Sequence, residues 1–190
     1  MAPRAGLDTR MIVITAAQIA DERGVEEVTL AALAAKLGVR SPSLYNHIQG
    51  LQDLRIQLAI HGLQELYKDM SAAIGHLSGE AAVHKMGQAY VDFARSHPGL
   101  YEMTLRAPEP QHAELVAVSN TILSLIMNSL RDYDLGEEDM IHAVRGLRSI
   151  LHGFASLEQQ GGFGIPLDTG VSLSRLISTF IAGIGSMRTH

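Results

Sequence analysis

The sequence predicts an all-α protein, on three observations. Apolar residues recur at helical spacing from one end of the chain to the other. The breaks between these stretches fall at glycine and proline, and no segment shows the alternation of a half-buried strand. At 190 residues and 46% hydrophobic, the chain has material for one large domain, or for a small domain joined to a larger one. It carries no internal repeat and no low-complexity tract.

Ile12, Ala16, Ile19 and Ala20 mark the buried face of a first helix, expected to end near Gly24, a residue able to adopt the left-handed conformation that closes a helix. Thr29 is the expected N-cap of a second, with Leu30, Leu33, Ala34 and Leu37 facing inward and Gly38 as its stop. Ser41 is the expected cap of a third, with Pro42 at the first helical position, where its missing N–H costs nothing. Leu44 and Ile48, one turn apart, are its inward anchors, leaving Ser43, Tyr45, Asn46 and His47 facing out. A long fourth helix is predicted from Gly50 to about Ile74, with Leu51, Leu54, Leu58 and Leu66 inward. Further helices are predicted over 80–96, 97–106, 111–133, 137–160 and 171–187, broken at "HPG", "APEP", "YDLG" and "GGFGIPLD".

Composition narrows the function. With no cysteine, disulfides and thiolate metal sites are excluded. The histidines have no metal-binding spacing, and there is no phosphate loop after a strand and no organised carboxylate pair, so no catalytic residue, metal or cofactor is expected. The start of the chain lacks the features of a secretion signal, and no apolar run approaches the ~18 residues of a membrane span. The expectation is a cytoplasmic protein with no membrane partner.

The net charge of −5 excludes a chain coated in basic residues, but not a local nucleic-acid site. Within the first fifty residues Arg4, Arg10, Arg23, Lys36 and Arg40 balance Asp8, Asp21, Glu22, Glu26 and Glu27. The acids cluster between 21 and 27, leaving Arg4, Lys36 and Arg40 with fewer acidic neighbours in sequence. Two helices joined by a glycine-containing turn form a helix-turn-helix, whose second helix enters the major groove. The outward groups at 43–47 are able to address base edges or phosphates there.

"TLAALAAKLGVRSPSLYNHIQGLQDL", Thr29 to Leu54, closely resembles the DNA-binding segment of TetR-family transcriptional repressors. "AVRGLRSILHGFASLEQQGGFGIPLDTGVSLSRLISTFIAG", Ala143 to Gly183, is similar to the C-terminal domain of a TetR subfamily with a Trp-His-Gly motif, here Leu151-His152-Gly153. Between these ends the likeness is one of helix number and length. Two positions depart from the common pattern: Ile48 stands where many members have phenylalanine, and Leu51 where many have lysine.

The resemblance implies a three-helix DNA-binding domain over residues 1–52 and a helical ligand-binding and dimerisation domain over 53–190. It implies a homodimer on double-stranded operator DNA, released by a small-molecule inducer. The DNA-binding set is Thr29, Arg40, Ser41, Ser43, Leu44, Tyr45 and His47, with Arg4 in an arm able to enter the minor groove. Thr29 doubles as a helix cap, and Tyr45 has the alternative of packing on the first helix. Tyr90, Phe93, Tyr101, Met103, Met127 and His152 are the ligand-site set, each also readable as plain core; Phe154 is a further aromatic of the same kind. The last two long helices are expected to form the dimer interface as a four-helix bundle. Its seam would run through Val144, Leu147, Leu151, Phe154, Leu173, Leu176, Ile177, Phe180 and Ile184. Two rivals stand beside this reading: a helical interaction module without DNA affinity, which would have no need of the 43–47 surface, and an enzyme built on a helical bundle.

Overall fold

In the computed structural model, residues 7–188 are described, and among them every regular element is helical. Arg4 lies outside the described residues. The helices are α1 (Thr9–Arg23), α2 (Leu30–Leu37), α3 (Ser41–Leu44), α4 (Leu51–Ile74), α5 (Gly79–Ser96), α6 (Pro98–Met103), α7 (Ala113–Leu130), α8 (Glu137–Gln159) and α9 (Thr169–Ile184). Short 3₁₀ turns follow α1, α7 and α9.

Packing divides the chain into two compact units. The first is the chain up to Gln64 together with Ser96–Val116; the second is Glu65–Arg95 with the chain from Ala117 onward. The boundary expected after residue 52 is therefore redrawn, because α6 belongs with α1. A Cβ built on Gly99 would lie 2.1 Å from the Ala20 carbonyl oxygen, so only glycine lets α6 press onto the end of α1. The Asp21 carboxylate accepts the Leu100 backbone N–H at 2.8 Å and lies 2.9 Å from His97 Nδ1. It thus satisfies one of the orphan donors at the start of α6, as an N-cap does, although it is 79 residues away. On α4, a Cβ on Gly62 would meet Thr104 Cγ2 at 2.9 Å and the Leu100 carbonyl at 3.1 Å, so α6 also sits close against α4.

The core of the first unit holds Ile12, Ala16, Ile19, Leu33, Leu44, Leu54 and Leu58, all at most 1% exposed. In the second unit, Met86, Phe93, Leu147, Leu173 and Ile177 are buried to the same degree or within 2%. Gly87 lets α5 approach α8 and α9, since a Cβ there would lie 2.7 Å from Ile177 Cδ1 and 3.2 Å from Leu151 Cδ2. Arg95 ties α5 to α8, its Nε and Nη2 donating to the two Glu158 oxygens at 2.5 and 2.9 Å.

One helix bears on the membrane expectation. Ala113–Tyr133, 21 residues with mean hydropathy 1.4, is long and apolar enough to cross a membrane by length and composition. Ser119, Asn120, Thr121, Ser124 and Asn128 interrupt it, so it holds no uninterrupted apolar run, yet its average passes. Only 17% of its 18-residue apolar window is buried within the chain.

Candidate nucleic-acid interface

The site is built from α2, α3 and the turn after it. Thr29, extended at φ −119°, ψ 155°, accepts the Ala32 N–H on its hydroxyl oxygen at 3.1 Å and starts α2. Gly38, left-handed at φ 67°, closes it and turns the chain towards α3. Four residues make α3, and backbone hydrogen bonds from His47 and Ile48 to the Leu44 carbonyl, 2.9 and 3.0 Å, carry the coil one turn further. So short a helix has no stability of its own. Leu44 and Ile48, 0% and 2% exposed, hold it to the core. Thr9 on α1 adds a hydrogen bond from its hydroxyl to the His47 carbonyl at 3.3 Å.

Those two anchors set which groups face outward. Tyr45 is 60% exposed, which leaves most of it open to a partner, and Asn46 and Arg40 are also exposed. Ser41, Ser43 and His47 are half-buried. Among the described residues no side-chain hydrogen bond or ion pair occupies Arg40, Ser41, Ser43, Tyr45, Asn46 or the His47 ring. A cluster of unpaired donors and acceptors on a coil fixed by two apolar pins is an arrangement suited to the donor and acceptor edges of a major groove.

Three details differ from the sequence expectations. Leu44 is sealed in the core and has no surface to offer DNA; its part in the site is to hold α3. Ser41 makes no capping bond: Arg40 takes the cap position, and Pro42 stands in the first two helical residues. Lys36 is not a spare cation, because its Nζ meets both Glu22 oxygens at 3.0 and 2.9 Å. That hydrogen bond, then the charge of Lys36, holds the Glu22 carboxyl below its ordinary range. Asn46 is the outward group that the expected contact set left out, though its register marks it. At the start of α4, Asp53 accepts the Gln49 N–H at 2.8 Å, fixing the exit from the recognition coil.

The ligand-site set is scattered. Tyr90, Phe93, Met127 and His152 fall in the second unit, whereas Tyr101 and Met103 fall in the first. Tyr90, Phe93 and Tyr101 are buried, and Met103, Met127 and His152 are half-buried. The expected dimer seam also changes. Val144, Leu147, Leu151, Phe154, Leu173, Ile177 and Ile184 are at most 8% exposed in the single chain. They are core of the second unit and have almost no surface left for a partner. Leu176 and Phe180 alone of that set are half-buried. Helical periodicity located an apolar face on α8 and α9 but not what covers it.

Comparison with known proteins agrees with this architecture at both ends. Residues 83–180 match the model of the "Tetracyclin repressor-like, C-terminal domain" family. The chain is 44% identical to the HTH-type transcriptional regulator YobS of Bacillus subtilis, over 97% of this chain and 96% of that one. It is 30% identical to the HTH-type transcriptional regulator Rv0681 of Mycobacterium tuberculosis, over 98% and 85%. Among solved structures, a single-substitution TetR variant of Acinetobacter baumannii in complex with minocycline superposes with a TM-score of 0.72 at 18% identity, covering 97% of this chain and 100% of that one.

Proposed function

The chain belongs to the tetracycline-repressor-like family and is a DNA-binding transcriptional regulator; from that premise we propose that it is a homodimeric repressor, released from its operator by a small molecule. The observation that carries the DNA-contact assignment is the outward cluster of Arg40, Ser43, Tyr45, Asn46 and His47, pinned from behind by Leu44 and Ile48. Arg40 supplies charge for phosphate, and the hydroxyl, amide and ring groups supply base-edge or phosphate contacts. The Thr29 hydroxyl keeps its own proton to donate to a phosphate while its oxygen caps α2. A cytoplasmic location and a regulatory role go with this reading.

Self-association is supported by apolar surface on the single chain. Leu157, Ile165, Leu167 and Val171 are 52%, 74%, 72% and 49% exposed. Gly153 on α8 and Gly183 on α9 have nothing within 4 Å of where a Cβ would be. A glycine inside a helix costs ~1 kcal/mol relative to alanine. With no contact among the described residues to explain them, the two glycines suit close approach of a partner helix. The proposed seam is therefore Ile150, Gly153 and Leu157 on α8 with Leu176, Phe180 and Gly183 on α9. Release follows if a ligand prefers a state in which the paired recognition helices are wrongly spaced, with α4 as the lever. Half-buried apolar residues of α7, Met127 among them, suit an apolar ligand.

Gel-shift measurement on genomic fragments tests this reading. Saturable binding at moderate salt, lost in Arg40→Ala and Tyr45→Ala, is the expected outcome. If both variants bind as well as the parent, the site assignment is wrong.

A further inference from the structure

Within the first unit lies a cavity of about 230 Å³, walled by the turn after α1, the first turns of α4, the end of α6 and the approach to α7. We infer that it is an effector site for a compact monocarboxylate, bound through the guanidinium of Arg55. None of the residues expected to hold a ligand marks this place except Met103.

The observation behind it is an unmet donor. Arg55, half-buried on α4, lines the cavity, and its Nε, enclosed by the protein, hydrogen-bonds to nothing among the described residues. No carboxylate among them forms an ion pair with it. A buried donor without an acceptor is costly, and a protein that keeps one either uses it or fills it. An arginine fork matches a carboxylate in shape and charge.

The rest of the lining selects the ligand's body. Val25, Ile56, Ala59, Met103 and Leu115 give an apolar wall. An apolar cavity of about 150 Å³ holds benzene, so this one has room for a small aromatic or short aliphatic acid. Glu26, Glu102 and Glu109 line it too, but all three are exposed and solvated at its mouth. Their charge disfavours polyanions, while the half-buried Arg55 offers one negative group a positive partner. Arg106, exposed at the same mouth, softens that barrier.

Position gives the site its consequence. Arg55 stands one turn into α4, two residues from Asp53, whose carboxylate fixes the Gln49 N–H at the exit of the recognition coil. A ligand between α4 and the end of α6 bears on that exit directly. Only this effect on DNA rests on the regulator reading; binding itself is measured without DNA, so the two fail separately.

Titrate the full-length protein, labelled with ¹⁵N-arginine, with sodium benzoate, sodium hexanoate and neutral benzamide. The Arg55 Nε–H resonance, assigned by its loss in Arg55→Gln, is expected to move saturably with at least one carboxylate and not with benzamide. Arg55→Gln should bind that carboxylate about tenfold more weakly or worse, the loss a charge-assisted hydrogen bond implies. The inference is overturned if neither carboxylate saturates, if benzamide moves the Arg55 resonance equally, or if other arginines respond and Arg55 does not. That last readout uses the unaltered protein, so it stands even if the variant misfolds.

Discussion

Leu44 and Tyr45 are neighbours in sequence with opposite duties, and substituting each separates folding from recognition. Leu44→Ala empties a fully buried position, which costs about 2–5 kcal/mol. Urea unfolding should record that loss, with DNA binding failing as a consequence. Tyr45→Ala removes a side chain that is 60% exposed, so stability should change by less than about 0.5 kcal/mol. Operator affinity should still fall by about tenfold, the weight of one good base or phosphate contact. The two anchors were legible because i, i+4 apolar spacing on so short a helix leaves no other inner face. The pairing of Lys36 with Glu22 was not, since it joins residues 14 apart on two helices whose crossing no local pattern specifies. Arg55 left only a faint mark: it is four residues after Leu51 and three before Leu58, a charge half-turned towards the apolar face. At Glu158, the hydrogen bond from Arg95 holds the carboxyl below its ordinary range, against the opposing effect of burial, with a Thr169 hydrogen bond assisting. A lowered folded pKa contributes stability above the ordinary carboxylate range, and that contribution is lost as pH falls through the lowered value. The pair is partly exposed, so solvent screening limits it to about 0.5–1 kcal/mol. Glu158→Gln should be less stable than the parent by that amount at neutral pH, and the difference should shrink as acidification passes below the ordinary carboxylate range in paired unfolding curves.

At the level of elements, the periodic spacing placed every long helix, because a face that must be buried repeats every 3.6 residues. Predicted ends at 74, 96 and about 160 lie within a residue of the observed ones. Which helices pack together was less legible. α6 follows α5 in the chain but is held to α1 by Gly99 and Asp21, contacts that span 79 residues or nearly so. A boundary placed within the fourth helix, where the two units do divide, says nothing of α6, which comes later in the chain and joins the first unit. Asp21→Ala removes the acceptor for the Leu100 N–H and should cost about 1 kcal/mol, as loss of an N-cap does. Amide exchange in the full-length protein should quicken first at Leu100 and Tyr101, with the ends of α8 and α9 unaffected. If exchange instead rises evenly along the chain, Asp21 contributes only to overall stability and does not hold α6.

For the whole molecule, the same ambiguity reappears as a question of surface. Seven of the nine residues that the family resemblance assigned to a dimer seam are core of one chain, because an amphipathic helix shows an apolar face whether a neighbour in the same chain or a second copy covers it. The structure separates the two by exposure. What keeps surface on α8 and α9, Ile150, Leu157, Leu176 and Phe180 with Gly153 and Gly183, is what a second copy would take in the proposed seam. Gly153→Leu should push a side chain into that contact and weaken the dimer by about tenfold or more in sedimentation at falling concentration. Unfolding of the isolated chain should be little altered, since nothing lies within 4 Å of the added Cβ. Symmetry then dictates what the DNA must look like: two recognition helices related by a twofold axis need two inverted half-sites, about one helical turn or a multiple of it apart. In vitro selection of bound duplexes from a random pool with the purified protein measures this directly. Enrichment of an inverted repeat at that spacing, abolished by Tyr45→Ala, is the predicted result. Enrichment of an unpaired site, or of no sequence at all by a folded dimer, would contradict the account.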